Sequence, residues 1–255
     1  MRRQKQYVIF IDIDGTLYTS ANGIPRENIE VIRKVREQGH LVLINTGRSY
    51  GNIPDVILES VPVDGFVCAL GSDVRFRGKQ LYSAALSQEQ LRKVVQFYLE
   101  EKKYCILEGE DDVFVINPRK QSSKIPITSP DDFEKLYPGS LINIFTIPGR
   151  ITDRERELFG DDFFFVEHPD FFEGALKGNS KSRGMEVILN HLGMTAQDCI
   201  AMGDSMNDYD MLKYAGISIA MEDSPEKLIA ISDAVAKTAD EGGVADALRE
   251  FVLDK

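Results

Sequence analysis

The 255-residue chain has no tryptophan, only three cysteines, and more acid than base: 30 Lys and Arg against 41 Asp and Glu, a formal charge of −11. The cysteines, Cys68, Cys105 and Cys199, lie far apart in apolar stretches and form no CxxC pair. Buried, reduced thiols in a reducing compartment are therefore expected. Long apolar runs are missing too. A basic N-terminus is followed by only Tyr7 to Ile11 before Asp12 interrupts, too short for a signal-peptide core or a membrane span. The expected location is cytoplasmic. The negative field repels nucleic acid and anionic lipid, so neither is an expected partner. It also opposes anionic substrates, so a phosphorylated one needs cations gathered locally. No internal repeat or low-complexity stretch is present.

What is there is a foldable chain. A 43% hydrophobic content fits a globular protein and not a disordered one, and a chain of this length hides roughly 70–75% of its unfolded surface. The first third alternates predicted strands (8–11, 40–45, 65–70) with predicted helices (25–38, 52–59). The segment 41–44 is continuously apolar, as in a parallel strand buried on both faces. The last third repeats the rhythm: helix 180–192, strand 198–202, helix 209–214, strand 216–221, helix 225–231, strand 234–236 and a closing helix over 243–252. The middle reads as helix 88–102, strands 104–108 and 113–117, helix 130–137, strand 141–147, helix 152–159, and a hairpin of strands 163–168 and 171–176. Tight turns between its strand pairs predict antiparallel pairing. The run Phe163-Phe164-Phe165 reads as packing for this middle region. The fold class is thus α/β, a Rossmann-like parallel core of residues 1–81 plus 177–255, with an α+β insert at 82–176 in the order αββαβαββ.

Polar residues fall where the predicted core strands end. Asp12 and Asp14 stop the first strand, Thr46-Gly47-Arg48 follows the second, Lys181 opens a helix, and Asp204, Asn207 and Asp208 follow a late strand. Carboxyl ends of parallel strands are where open α/β sheets bind ligands. An EF-hand beginning at Asp12 is excluded, because its sixth position is Leu17 and its twelfth Gly23. Asp12 fits a nucleophile that forms an acyl phosphate, and Asp14 a general acid and base. Two acids so close call for a cation. A hard divalent ion of the Mg²⁺ type would take the Asp12 and Asp204 side chains and the Asp14 carbonyl oxygen, with Asp208 behind them. Thr46, Gly47 and Arg48 can hold phosphate oxygens, with Arg48 alternatively bracing the carboxylates. Lys181 is suited to neutralise charge on phosphorus, with Lys177 a competing candidate.

This set, Asp12-x-Asp14-Gly-Thr, Thr46-Gly-Arg48, Lys181 and Gly203-Asp204-Ser-x-Asn207-Asp208, resembles the four signatures of the haloacid dehalogenase (HAD) superfamily over essentially the whole chain. The insert position, its element order and the closing Asp240-Glu241-Gly242-Gly243-Val244 resemble the Cof-type, subfamily IIB phosphatases. The resemblance implies a C2B-type cap domain that selects substrate, Mg²⁺ as cofactor, Asp12 as the phosphorylated residue, and Lys181, Thr46 and Asn207 among the groups facing substrate. One stretch departs: Ala69-Leu70-Gly71-Ser72-Asp73 stands where the group usually carries Asn-Gly-Ala. The function expected is Mg²⁺-dependent hydrolysis of a small phosphorylated metabolite such as a sugar phosphate. The alternatives are a phosphosugar mutase, or a non-catalytic phosphoacceptor or binding protein on the same scaffold. Oligomeric state is not readable from the chain.

Overall fold

The computed structural model describes residues 5–118 and 123–254; the basic Arg2 and Arg3 lie outside the described residues. Two compact units divide the chain, one of Met1–Gly47, Pro54–Tyr82 and Ser180–Lys255, the other of Arg48–Ile53 and Ser83–Asn179. No helix among the described residues is long and apolar enough to cross a membrane. All three cysteines are free and buried.

Before the larger unit is interrupted it runs β1 (Val8–Ile11), α1 (Arg26–Glu37), β2 (Leu41–Asn45), α2 (Asp55–Ser60), β3 (Gly65–Cys68), β4 (Asp73–Phe76) and β5 (Lys79–Ser83). Strands β4 and β5 were not expected from sequence. The smaller unit then supplies α3 (Gln88–Glu100), β6 (Cys105–Gly109), β7 (Val113–Ile116), β8 (Ile125–Ile127), α4 (Asp132–Lys135), β9 (Ile142–Pro148), α5 (Asp153–Phe159), β10 (Phe163–Glu167) and β11 (Phe171–Leu176). The larger unit resumes with α6 (Lys181–Leu192), β12 (Cys199–Gly203), α7 (Tyr209–Tyr214), β13 (Ile217–Met221), α8 (Glu226–Ile229), β14 (Ala234–Ala236) and α9 (Gly243–Leu248). The closing helix is not α-helical throughout: Arg249–Leu253 forms a π turn.

The larger unit is one eight-stranded sheet in the order β14-β13-β12-β1-β2-β3-β4-β5. Every residue of β1 is fully buried. It pairs in parallel with β2 on one side, Val8 opposite Leu41, and with β12 on the other, Val8 opposite Cys199. Burial on both faces explains the unbroken apolar run. From β1 the chain winds outward through β2 and β3, whereas β13 and β14 lie beyond β12 on the opposite side. The β1/β12 boundary is therefore where strand order reverses, and the crevice at a reversal point is the ligand site of open α/β sheets.

The expected strand 65–70 stops at Cys68 because Ala69 (φ 49°), Leu70 (φ 53°) and Gly71 (φ 86°) turn left-handed in succession. The turn lets β4 return antiparallel to β3, Cys68 opposite Asp73.

The smaller unit has its own sheet, β10-β11-β9-β6-β7-β8. Its order is αβββαβαββ, with β8 in addition to the expected elements. The predicted antiparallel pairing holds for four of its ladders, but β8 lies parallel to β7, Phe114 opposite Ile125. Capping boxes start α3 (Ser87 with Gln90) and α5 (Thr152 with Glu155), satisfying amides a helix start leaves open. Phe97, Tyr98, Phe145, Phe159 and Phe163 fill the core between helices and sheet, with Phe145 and Phe163 rings 5.1 Å apart edge to face.

Candidate active site

Asp12 follows β1 directly, and its main-chain N–H donates to the Met202 carbonyl of β12 at 3.0 Å. That bond carries the sheet one residue past the strand and fixes where the side chain emerges. The chain then turns sharply: the Ile13 carbonyl accepts the N–H groups of Thr16, Leu17 and Tyr18. Gly15 sits at φ 85°, and a Cβ there would fall 2.4 Å from Asp204 Oδ2, so conformation and space both require glycine. Asp14 is exposed on this turn, its main chain bridged to Tyr18. Thr16 reaches across to donate its hydroxyl to Asp204 Oδ1 at 2.8 Å.

Lys181 opens α6 and is buried. A cation in the first turn of a helix is opposed by the macrodipole, so something else must hold it. Its Nζ donates to Asp12 Oδ1 at 2.7 Å, Asp208 Oδ1 at 2.6 Å and Asn207 Oδ1 at 3.3 Å. Asp208 is fully committed: its Oδ2 accepts the main-chain N–H groups of Asp204 and Ser205 at 3.0 and 3.1 Å. A Cβ on Gly203 would meet the Asp208 carboxyl carbon at 2.5 Å, so glycine again makes room. Asp12 and Asp204 each have one oxygen engaged, by Lys181 and Thr16 respectively. Their second oxygens have no hydrogen-bond donor among the described residues.

Asp12, Asp204 and Asp208 each present a carboxylate oxygen within 4.8 Å of the others. Three carboxylates and one ammonium leave an excess of negative charge in a buried place. The Asp204 carboxyl is accordingly pushed up to about 7, by burial first and then by the Asp208 charge, against the pull of the Thr16 bond and Lys181. Burial drives Asp12 well above the usual carboxylate range; Lys181 opposes this, and Asp208 and Asp204 reinforce it. Burial acts on Lys181 in the opposite sense, favouring loss of its proton, but Asp12 and Asp208 hold the proton on and leave its pKa raised. Hard oxygen donors, surplus charge and two uncommitted oxygens together fit a divalent cation of the Mg²⁺ kind.

Of the residues singled out in the sequence, Asp12, Lys181, Asp204, Asn207 and Asp208 converge here, with Asp14 on the adjoining turn. Thr46 is buried at the end of β2, its N–H on the Val67 carbonyl at 2.8 Å, and Gly47 follows it in the larger unit. Arg48 belongs to the smaller unit, where its guanidinium donates to the Asn52 carbonyl at 3.2 Å. Lys177 is also in the smaller unit and exposed. Lys181 is the lysine bonded to Asp12 within the larger unit.

Two supports were not anticipated. Asp210 accepts both the N–H and the hydroxyl of Ser182 at 3.0 and 2.8 Å, tying α7 to the start of α6. Asn45 ends β2 with its amide on the Lys181 carbonyl. The signal for the latter was a lone amide closing an otherwise apolar strand.

Comparison with known proteins supplies a family and a fold. A family model described as haloacid dehalogenase-like hydrolase matches residues 9–248. YkrA of Bacillus subtilis strain 168 is 28% identical over 97% of this chain and 98% of its own length. The 5-amino-6-(5-phospho-D-ribitylamino)uracil phosphatase YcsE of the same organism is 25% identical over 96% of each chain. The solved structure of a HAD subclass IIB sugar phosphatase shares the fold with a TM-score of 0.82 at 24% identity, covering 96% of this chain and 99% of that one.

Proposed function

This chain belongs to the haloacid dehalogenase-like hydrolases, and on that premise we propose that it hydrolyses a small phosphorylated metabolite through a phosphorylated Asp12. The carrying observation is Lys181 Nζ held between Asp12 Oδ1 and Asp208 Oδ1 in a buried site that also contains Asp204. A uracil-derivative phosphatase among the relatives and a sugar phosphatase among the structural neighbours support a phosphate monoester as substrate.

In this reading the Asp12 carboxylate attacks phosphorus and an acyl phosphate forms as the ester bond breaks. Asp14, exposed on its turn, gives a proton to the departing alkoxide and then takes one from the water that attacks the acyl phosphate. Inorganic phosphate leaves and Asp12 is regenerated. Lys181 opposes the protonation of Asp12 that burial favours and neutralises charge growing on the transferring oxygens. Thr46, Gly47 and Arg48 bind those oxygens from main chain and side chain, and Asn207 orients Lys181. Asp12, Asp204 and the Asp14 carbonyl oxygen would hold Mg²⁺, with Asp208 bracing them from behind. When bound, that ion supplies positive charge at the phosphoryl group. The smaller unit acts as a C2B-type cap and sets which leaving group is accepted, and the reaction belongs to the cytoplasm.

The test is phosphate release from a panel of phosphometabolites and an aryl phosphate. Asp12→Asn should abolish turnover, and EDTA should silence the wild type until Mg²⁺ is restored. Retained turnover in Asp12→Asn would remove Asp12 from the nucleophile's place, and full activity without metal would remove the cation.

A further inference from the structure

Resting on the phosphatase reading, we infer that Asn45 is a positioning residue that sets Lys181 through its main chain. Strand alternation puts Leu41, Leu43 and Asn45 on one face of β2. Leu41 and Leu43 pack in the core cluster that also holds Met185, Ile188 and Leu189, so this is the face that α6 covers. Asn45 occupies the last position on that face, beneath the first turn of α6. Its Nδ2 donates to the Lys181 carbonyl at 3.2 Å and lies 3.1 Å from Met211 Sδ.

The amide is an expensive group to keep there. Asn45 is fully buried, and its Oδ1 has no partner among the described residues. A buried, unpaired carbonyl oxygen costs stability, whereas an apolar side chain of similar size costs little. The Lys181 carbonyl does not need Asn45 for its own sake, because a carbonyl starting a helix accepts a bond from four residues onward. The bond instead joins two places the reaction needs in register: the residue before Thr46 and the main chain of the lysine on Asp12. Asp210 pins the same turn through Ser182. Lys181 is thus gripped at the helix start while its Nζ reaches two carboxylates.

The experiment is a double-mutant cycle of Asn45→Leu with Lys181→Gln, all four proteins melted to confirm that they fold. Asn45→Leu should melt at or above the wild-type temperature while kcat falls about ten- to hundredfold and KM changes little, as expected when a catalytic group is displaced by a fraction of an ångström. In the Lys181→Gln background the same substitution should change kcat less than about twofold. Asn45→Ala serves as a second variant should Leu disturb packing. Equal losses in both backgrounds, or loss of stability in step with activity, would overturn the inference and leave Asn45 a purely structural residue. Inorganic phosphate binding, read by calorimetry across the same four proteins, repeats the cycle without turnover. A wild type that hydrolyses no phosphate ester would therefore sink the phosphatase reading, while the binding cycle still decides the role of Asn45.

Discussion

Single residues in this chain are held in charge states that folding imposes, and His40 is the clearest outside the site. It is buried, stacked on Tyr7, and its Nδ1 accepts the Tyr7 N–H at 3.0 Å, which requires that nitrogen unprotonated. Its Nε2 has no partner among the described residues. Burial lowers its pKa below the ordinary 6.5. The unfolded chain then binds a proton that the folded chain refuses, so this stabilisation is complete above about pH 6.5 and is lost as pH falls below it. His40→Gln should flatten the fall in melting temperature between about pH 6.5 and 5; an unchanged slope would dismiss the argument. Asp12 and Asp204 have the opposite sign. Their raised pKa values mean the metal-free folded protein binds more protons than the unfolded chain, so the Asp204 carboxyl costs stability progressively as pH rises from the ordinary carboxyl range to about 7 and no more beyond it, and Asp12 acts in the same direction.

Among the elements, α6 matters most, because it carries Lys181 and must lie close to β3. Two glycines permit that approach. A Cβ on Gly184 would meet Val67 Cγ1 at 2.2 Å, and one on Gly71 would meet the Ser180 carbonyl oxygen at 2.0 Å. Gly184→Ala should cost about 1–3 kcal/mol by overpacking. It should also lower kcat by lifting the lysine from Asp12; denaturant melts and kinetics on one preparation check both, and an unperturbed protein would contradict the packing argument. The core elements were legible because parallel strands buried on both faces read as apolar runs and the helices between them read by period and by glycine stops. What escaped was short or polar. β5 is Lys79-Gln-Leu-Tyr-Ser, exposed or half-buried, with no apolar face to read. β8 has three residues, one of them proline. The carboxylates of the candidate site stand out in the sequence because they follow apolar strands, and Lys181 because it opens a helix. Asp210 could not, since nothing in Tyr209-Asp210-Met211 distinguishes a carboxylate that caps a neighbouring helix from one in solvent.

For the molecule as a whole, a cation held by the acidic cluster, as proposed, would link binding to folding in a chain already at −11. A ligand present at a hundred times its Kd and bound only by the folded state adds about 2.7 kcal/mol. MgCl2 should therefore raise the melting temperature more at pH 8 than at pH 6, because Asp12 and Asp204 must shed protons before they can serve as ligands. Equal shifts at both pH values would count against those two residues as ligands. The place of β1 between β2 and β12 has a different consequence, for biosynthesis. A nascent chain leaving the ribosome can zip Val8–Ile11 onto Leu41–Asn45 early, but the far side of that strand stays bare until Cys199–Gly203 emerges. Ser83–Asn179, with a sheet and core of its own, is translated in the interval. Until the late segment arrives, Asp12 lacks both its acidic neighbours and its lysine, and a naked strand edge is exposed to other nascent chains. Premature termination anywhere before Cys199 should yield an inert, sticky fragment rather than a weakened enzyme.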